Sequence, residues 1–158
     1  MDEPEDAAER ADEDRILDAA VTAFYSAQVE HAHLMQHLAV LHDLNPVDLR
    51  ALKFLGAVDE DRTPKELGRY LEMGTGAVTA LLDRLAKRGL LDRVRNLSDR
   101  RSVRIELSAE GSQVVGALRA AYRRALSQSV PIDAVDVFIA FTERVSVAFR
   151  DASSETGD

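Results

Sequence analysis

The segment that decides the fold is GTGAVTALLDRLAKRGLLDRVRNLSDRRSVRIEL, residues 74–107. Its first half repeats apolar residues at helical spacing, and the glycine at 89 is typical of a helix end. A short strand, a polar stretch at 96–102 and a strictly alternating strand at 103–107 follow, which predicts a β-hairpin. A helix followed by a hairpin with a basic tip indicates a winged helix. The predicted inward-facing residues of the helix are Val78, Leu81, Leu82 and Leu85.

Charge is distributed unevenly along the chain. Residues 62–104 contain 11 Lys/Arg and 5 Asp/Glu, a net charge of +6, whereas the whole chain carries −8. A phosphate backbone attracts such a positive segment and repels the acidic remainder. The pattern therefore predicts that this segment binds nucleic acid. The alternative interpretation is an ordinary solvent-exposed hairpin.

Composition restricts the class of protein. A chain of 158 residues with 46% apolar and 5% aromatic residues suits one mainly helical domain with flanking elements. The absence of cysteine excludes disulfides, thiolate metal ligands and thiol redox chemistry. No apolar run approaches the roughly 18 residues of a membrane span. Residues 1–18 contain nine acids and no apolar segment, unlike a secretory signal, so we expect a cytoplasmic protein without membrane contact.

The flanking segments are predicted to be helical. Asn45-Pro46 and Thr63-Pro64 are typical helix starts, and Glu66 completes capping-box spacing with Thr63. The predicted organisation is a disordered acidic tail at 1–13, a long helix at 14–44, a winged helix-turn-helix domain at 45–107, two further helices at 108–150 and a tail at 151–158.

The last predicted helix is unusually apolar. It contains Phe138, Ile139, Phe141, Val145 and Phe149, more apolar surface than one edge of a monomer needs to bury. We therefore expect a homodimer. The alternative is that these residues close a core within one chain.

The ordered motifs resemble those of the MarR family of bacterial transcription regulators. The residues that carry the resemblance are VTALLDRLAKRGL at 78–90, Asp99-Arg100-Arg101, and LSAEG at 107–111. It extends over roughly residues 14–150. The fold class is therefore mainly α with a small β-hairpin wing, a winged helix-turn-helix domain plus a helical dimerisation region.

The resemblance implies a homodimer whose N-terminal and C-terminal helices interdigitate. Each subunit would present one winged helix to double-stranded DNA at a pseudo-palindromic operator. In this family, small anionic or phenolic ligands often bind between the dimerisation and DNA-binding lobes and weaken DNA binding. The predicted dimer residues are Leu17, Phe24, Phe138, Phe141, Val145 and Phe149.

The DNA-binding candidates follow from the helix and the wing. Residues at the start of a recognition helix reach base edges, and nearby cations bind phosphates. The base-edge candidates are Thr75, Gly76, Ala77, Thr79 and Ala80; the phosphate candidates are Arg84, Lys87 and Arg95; the wing candidates are Ser98, Asp99, Arg100 and Arg101. By resemblance, Arg101 enters a minor groove and Asp99 holds the wing turn. Asp83 is expected to orient an arginine.

Relatives in the family usually have serine at the position of Gly74 and a larger polar residue near Gly76. This chain departs from that pattern at both positions. We therefore expect modest direct readout of bases and a greater dependence on groove shape and wing contacts.

All four histidines lie between residues 31 and 42. His33 and His37 have the spacing of a metal-binding pair, with Glu30 one turn before, but a solvated helix face is the expected interpretation and no metal is predicted. His31, with Phe54 as a wall, is the candidate for binding a small anionic ligand.

Together these patterns predict a sequence-specific DNA-binding transcription regulator, a repressor acting as a homodimer and released by a small molecule. The chain has no Gly-rich phosphate loop and no nucleophile with a recognisable base, so neither an enzyme nor a cofactor is predicted. Two alternatives remain: a winged-helix module that binds proteins without DNA, and a metal-responsive regulator that uses His33 and His37.

Overall fold

The computed structural model describes residues 3–57, 63–95 and 103–155. In this part of the chain the elements are α1 Glu3–Leu41, α2 Pro46–Leu55, α3 Pro64–Leu71, α4 Thr75–Lys87, β1 Leu91–Arg95, β2 Val103–Leu107, α5 Ala109–Ser129, a 3-10 turn at Ile132–Ala134 and α6 Val135–Glu155. The predicted fold class, mainly α with a hairpin wing, is confirmed. Among the described helices, none combines the length and apolar character that crossing a bilayer would require.

Both predicted helix starts are present. The Asn45 side chain accepts a hydrogen bond of 2.8 Å from the Asp48 backbone N–H. Thr63 and Glu66 form the reciprocal capping box: the Thr63 hydroxyl accepts from the Glu66 N–H at 3.3 Å, and the Glu66 carboxylate accepts from the Thr63 N–H at 2.9 Å. These caps satisfy N–H groups that a helix leaves unpaired, so the two starts are set by local sequence.

The wing is an antiparallel hairpin in which Leu91 pairs with Leu107, Arg93 with Ile105 and Arg95 with Val103. Leu91 and Ile105 are buried, as the alternation predicts. The wing candidates Ser98, Asp99, Arg100 and Arg101 lie outside the described residues.

The wing joins α5 through a close backbone contact. The Ser108 hydroxyl accepts from the Gly111 N–H at 3.0 Å and donates to the Gly89 carbonyl at 2.6 Å. A Cβ at position 111 would lie 1.9 Å from the Leu90 carbonyl oxygen, so only glycine fits. The LSAEG motif therefore has a structural role. Ser108 caps the start of α5, and Gly111 lets the first turn of α5 pack closely against Leu90, which follows α4.

The core of the winged helix lies between α2, α3, α4 and the hairpin. α2 packs against α1, α3 and β2, while α4 packs against α3 and β1. The largest completely buried side chains are leucines of these helices and strands: Leu49, Leu52, Leu67, Leu81, Leu82, Leu85 and Leu91. This core holds α4 with one face inward.

The predicted tails at the two ends of the chain differ from the structure. α1 begins at Glu3, so the segment expected to be a disordered tail at 1–13 is helical from Glu3 onward. Proline is compatible with a first helical turn, because the N–H that it lacks would have no partner within the helix there, so Pro4 does not prevent the helix from starting at Glu3. At the other end, α6 begins at Val135 after the 3-10 turn and continues to Glu155, into the segment predicted as a tail.

The chain divides into two compact units, Met1–Val114 and Val115–Asp158. In the first, the apolar residues of α1 that are buried from Arg10 onward lie near the end of the helix, at Met35, Leu38 and Ala39. Its earlier part remains exposed, with exposed fractions of 48–63% at Leu17, Val21, Tyr25 and Val29.

The second unit also presents apolar side chains to solvent. Phe138, Phe141 and Phe149 on α6 are 37%, 52% and 54% exposed, while Val145 is half-buried. Among the other predicted dimer residues, Leu17 is exposed and Phe24 is half-buried. Large exposed apolar faces of this kind are typical of association surfaces.

Candidate nucleic-acid interface

A tight turn joins α3 to α4. Glu72 ends α3 in the left-handed region, with φ of 56°, and the Met73 N–H donates to the Gly68 carbonyl at 2.9 Å. A Cβ on residue 68 would lie 3.0 Å from the Met73 carbonyl oxygen and 3.2 Å from Val78 Cγ2. Glycine at this position therefore lets α3 and α4 approach closely, which creates the helix-turn-helix.

The two faces of α4 are as the sequence predicted. Val78, Leu81, Leu82 and Leu85 are at most 2% exposed. The opposite face is open to solvent and carries the base-edge candidates Thr75, Gly76, Ala77, Thr79 and Ala80, together with Asp83, Arg84 and Lys87. The orientation of these candidates is confirmed, while their contact with bases stays a prediction.

The start of α4 is suited to an external anion or base. Its N-cap is Gly74, which has no side chain to cap the first N–H groups. The Thr79 hydroxyl donates to the Thr75 carbonyl at 2.9 Å. Its proton is thus used within the helix, so toward DNA the Thr79 oxygen can act as an acceptor and its methyl as an apolar contact.

Arg84 is held by a buried carboxylate. Asp48 of α2 is 1% exposed. It accepts two hydrogen bonds, from Arg84 Nε at 3.0 Å and from Nη2 at 2.5 Å. These hydrogen bonds raise the pKa of Arg84 above its ordinary value, despite the opposing effect of desolvation. The predicted phosphate contact of Arg84 stays a prediction, and the structure adds a bond to Asp48 that sequence reasoning missed.

One sequence signal could have identified Asp48. Counted along α2, it shares a helix face with Leu52 and Leu55, both of which are buried. A carboxylate on an apolar helix face requires a buried partner, since an unpaired buried charge is costly.

Arg88, one turn after Arg84, contacts the end of α1. Its guanidinium donates to the Asp43 carbonyl oxygen through Nη1, and through Nη2 to the His42 carbonyl and the Asp43 carboxylate, both at 3.3 Å. Asp43 has a positive φ of 53°, which turns the chain after α1. These hydrogen bonds connect the end of α4 to residues 42–48, the segment that leads from α1 into the first turn of α2 and is called the α1–α2 corner.

Asp83 orients an arginine, as predicted. Its carboxylate lies 2.7 Å from Arg93 Nη2, and this ion pair links the outer face of α4 to β1. Lys87 is exposed on α4, and Arg95 ends β1. The phosphate contacts predicted for Lys87 and Arg95 stay predictions.

A solvent-open groove of about 810 Å³ lies between the starts of α3 and α4. Lys65 and Arg69 are among its lining residues and both are exposed. They were not singled out from the sequence, although both belong to the positive segment 62–104. Their position beside the start of α4 makes them further candidates for phosphate contacts.

His31 lines a second cavity, of about 320 Å³, between α1 and α2. Two cations of α2, Arg50 and Lys53, share its walls. Burial, and then the charge of Lys53, lower the pKa of His31 below its ordinary value. Phe54 is not among the described walls: its ring stacks on Tyr70, with centroids 4.7 Å apart. The structure thus brings His31 together with Arg50 and Lys53 rather than with Phe54.

The histidine pair lies on a solvated face. His33, His37 and Glu30 are exposed, and His33 Nδ1 lies 3.5 Å from the Glu30 carboxylate. In the residues that the structure describes, no three metal-donor side chains come together. The exposure of His33 and His37 is as predicted, and the absence of a metal at this pair stays a prediction.

Comparison with known proteins identifies similar chains. A family model described as MarR family matches residues 42–102. The multiple antibiotic resistance protein MarR of Salmonella typhimurium is 33% identical over 79 residues, covering 45% of this chain and 52% of that protein. The HTH-type transcriptional repressor YetL of Bacillus subtilis is 32% identical over 80 residues, covering 50% of this chain and 48% of that protein. The chain thus spans about half the length of the curated relatives it matches.

The fold is shared more widely than the sequence. Streptococcus pneumoniae FabT, solved in complex with DNA, is 20% identical and aligns with a TM-score of 0.60 over 81% of this chain and 94% of that chain. At that identity the match shows a common fold, which extends beyond the segment matched by the family model.

Proposed function

We propose that this chain is a member of the MarR family, and that it is a transcription regulator that binds double-stranded DNA. Two similarities support the proposal: YetL is named a transcriptional repressor, and FabT was solved with DNA. In keeping with YetL, we assign this chain a repressor role. The family alone does not carry the proposal, because the same fold can serve different functions.

The observation that carries the proposal is the arrangement of α4. Its inner face is anchored in the leucine core, while its uncapped start displays only small side chains to solvent. Such a surface can approach the floor of a major groove without a steric barrier. Lys65, Arg69 and Lys87 lie on the same helix-turn-helix and supply positive charge beside it. The rest of the chain is strongly acidic and would be repelled by DNA.

The proposed active form is a homodimer. Two apolar faces, one on α1 and one on α6, remain exposed in a single chain. Burying them against a second copy would remove both from water, and a twofold axis would place two recognition helices on half-sites about one helical turn apart. This spacing predicts a pseudo-palindromic operator.

Fluorescence anisotropy with labelled duplexes tests the DNA-binding function. The duplexes come from genomic fragments that the purified protein retains, and a scrambled duplex of equal length and base composition is the control. We expect tight binding to the retained sequence and a linear fall of log K with log salt concentration, since phosphate contacts release counterions. If the chain binds neither duplex at low salt, the winged helix is a protein-interaction module instead.

We further propose that a small aromatic anion relieves repression through the His31 cavity. Two cations and a histidine line a volume large enough for a single-ring carboxylate or phenolate. Lys53 can contact the anionic group as a point charge, and Arg50 can do so through its planar fork. The apolar walls, including Ala32 and Met35, suit the ring.

Benzoate is a suitable probe for this cavity. We expect millimolar benzoate to weaken operator binding by the unmodified protein and to have little effect on Lys53→Gln. Arg119→Gln is the matched control, because it also removes one positive charge, from an exposed residue of α5 outside both the cavity and the helix-turn-helix. If benzoate acts equally on all three proteins, or on none, the cavity is not the ligand site.

A further inference from the structure

The Asp48–Arg84 pair has a feature that core packing does not explain. Asp48 is 1% exposed, and both of its carboxylate oxygens accept from one guanidinium, in the planar two-point geometry that arginine favours. The two residues are 36 positions apart, on α2 and α4. The pair therefore connects the helix of the α1–α2 corner directly to the recognition helix.

Energetics argue against a purely stabilising role. Removing a carboxylate from water costs several kcal/mol in general, and the ion pair only partly recovers this. Apolar residues of similar size at such sites are often equally or more stabilising. Unlike apolar packing, the ion pair restricts the orientation of α4 relative to α2. A two-point hydrogen bond tolerates little rotation, whereas leucines on leucines slide and rotate at low cost.

The hydrogen bonds of Arg88 also restrict the movement of α4. Arg88 lies one turn after Arg84 and donates to backbone and side-chain oxygens of the α1–α2 corner. Residues four apart lie on the same side of a helix. Two points on one side of α4 are therefore attached to the corner, which restricts both rotation of α4 about its axis and sliding along it.

We propose that Asp48 is a positioning residue for DNA recognition: through Arg84, and with Arg88 beside it, it fixes the rotation of α4 so that Thr75, Gly76 and Thr79 face the DNA. The inference rests on the proposed DNA-binding function. Asp48 itself is buried and touches no DNA. Its loss should reduce discrimination between sequences more than it reduces attraction to phosphates.

The double variant Asp48→Leu/Arg84→Met tests the proposal, because it replaces the pair with apolar groups. We expect the thermal midpoint to be retained or raised. Affinity for the retained genomic duplex should fall at least 10-fold more than affinity for the scrambled duplex, because loss of a phosphate contact of Arg84 would weaken both duplexes equally. Asp12→Asn/Arg15→Gln is the control, since it removes an exposed ion pair on α1 with the same net charge change.

Asp48→Asn provides an independent test should the double variant fail to fold. This change releases Arg84 without removing it. If Asp48 positions the helix, discrimination between the two duplexes should again fall. If Arg84 instead acts mainly on a phosphate, Asp48→Asn should leave discrimination intact and strengthen both affinities, while Arg84→Met should weaken both equally and lower the salt slope by about one.

The outcomes distinguish the positioning role of Asp48 from the proposed DNA-binding function. Unchanged discrimination in a folded Asp48 variant overturns the positioning role and leaves the proposed function standing. Failure of the unmodified chain to bind any duplex overturns the proposed function, and the positioning role with it.

Discussion

At the scale of single residues, Gly76 stands out because nothing inside the protein requires it. A Cβ built at this position meets no atom within 4 Å. Glycine within a helix is less stable than alanine by about 0.5–1 kcal/mol. The added methyl group would point into the space that DNA is proposed to occupy.

Gly76→Ala should therefore increase stability and weaken DNA binding in the same protein. We expect the free energy of unfolding to rise by about 0.5–1 kcal/mol, and affinity for the operator to fall. Urea unfolding and fluorescence anisotropy measure the two effects. Gly116→Ala is the matched control: this α5 glycine also has open space around its Cβ, so the same stabilisation should appear without a loss of DNA affinity. Equal DNA binding by both variants would contradict close approach at Gly76.

The second residue-scale prediction concerns Arg101, which the sequence predicts at the tip of the wing. Arg101 lies outside the described residues, and by resemblance to the MarR family it is expected to enter a minor groove. Narrow A·T-rich minor grooves concentrate negative potential and favour an inserted guanidinium. Arg101→Ala should weaken operator binding by about 1–3 kcal/mol, and by more on A·T-flanked than on G·C-flanked sites. Anisotropy on two duplexes that differ only in those flanks measures this; equal losses would make Arg101 a phosphate contact.

At the scale of elements, the joint between the wing and α5 depends on one close contact. A methyl group at position 111 would overlap the Leu90 carbonyl oxygen. Gly111→Ala must therefore displace α5 from the end of α4 or distort the strand. We expect the free energy of unfolding to fall by about 1–3 kcal/mol, which is the general cost of forcing extra volume into a packed site. Urea unfolding checks the value, with Gly116→Ala on the same helix as control. If Gly111→Ala is as stable as Gly116→Ala, the contact between residue 111 and Leu90 can relax without an energetic cost.

The free energy of unfolding should depend on pH through His31, which lies between α1 and α2. Burial and Lys53 lower the pKa of His31 below its ordinary value of 6.5. The unfolded chain therefore binds a proton first as pH falls, so the His31 contribution is complete above about pH 6.5 and is lost as pH falls through the folded-state pKa. The effect should be modest because His31 is largely exposed.

Urea unfolding between pH 5 and 8 measures this contribution. His31→Gln should show a smaller loss of stability on acidification than the unmodified protein, and His33→Gln, on the solvated face, is the control. An unchanged pH profile in His31→Gln would exclude the histidine as the source.

At the scale of the whole molecule, the exposed apolar faces predict association. Phe138→Glu on α6 should produce monomers and abolish operator binding, since one winged helix makes half of the contacts. Val147→Glu is the control: it also changes an exposed apolar residue of α6, but one that lies among Glu143, Arg144 and Asp151. Light scattering at micromolar concentration measures the oligomeric state of the two variants and of the unmodified protein. A monomeric unmodified protein would contradict the proposed dimer.

Much of the fold and part of the site could be predicted from the sequence. Caps at Asn45 and Thr63, the hairpin and the two faces of α4 depend on residues within a few positions of one another. Local patterns therefore determine them. The limits of α1 and α6 were less predictable, because helix ends depend on small free-energy differences along polar segments.

The contacts that only the tertiary structure decided connect residues distant in sequence. Asp48 and Arg84 are 36 positions apart, and Arg88 lies 45 positions after Asp43. The His31 cavity and the fit of Gly111 on Leu90 likewise depend on how separate elements pack. Periodicity specifies which face of a helix is buried, but not which partner it meets or at what rotation. The sequence by itself thus determined a winged helix with an exposed, positively flanked recognition helix. Packing in three dimensions decided how that helix is held in place, because a buried ion pair forms only where the backbone brings both partners together.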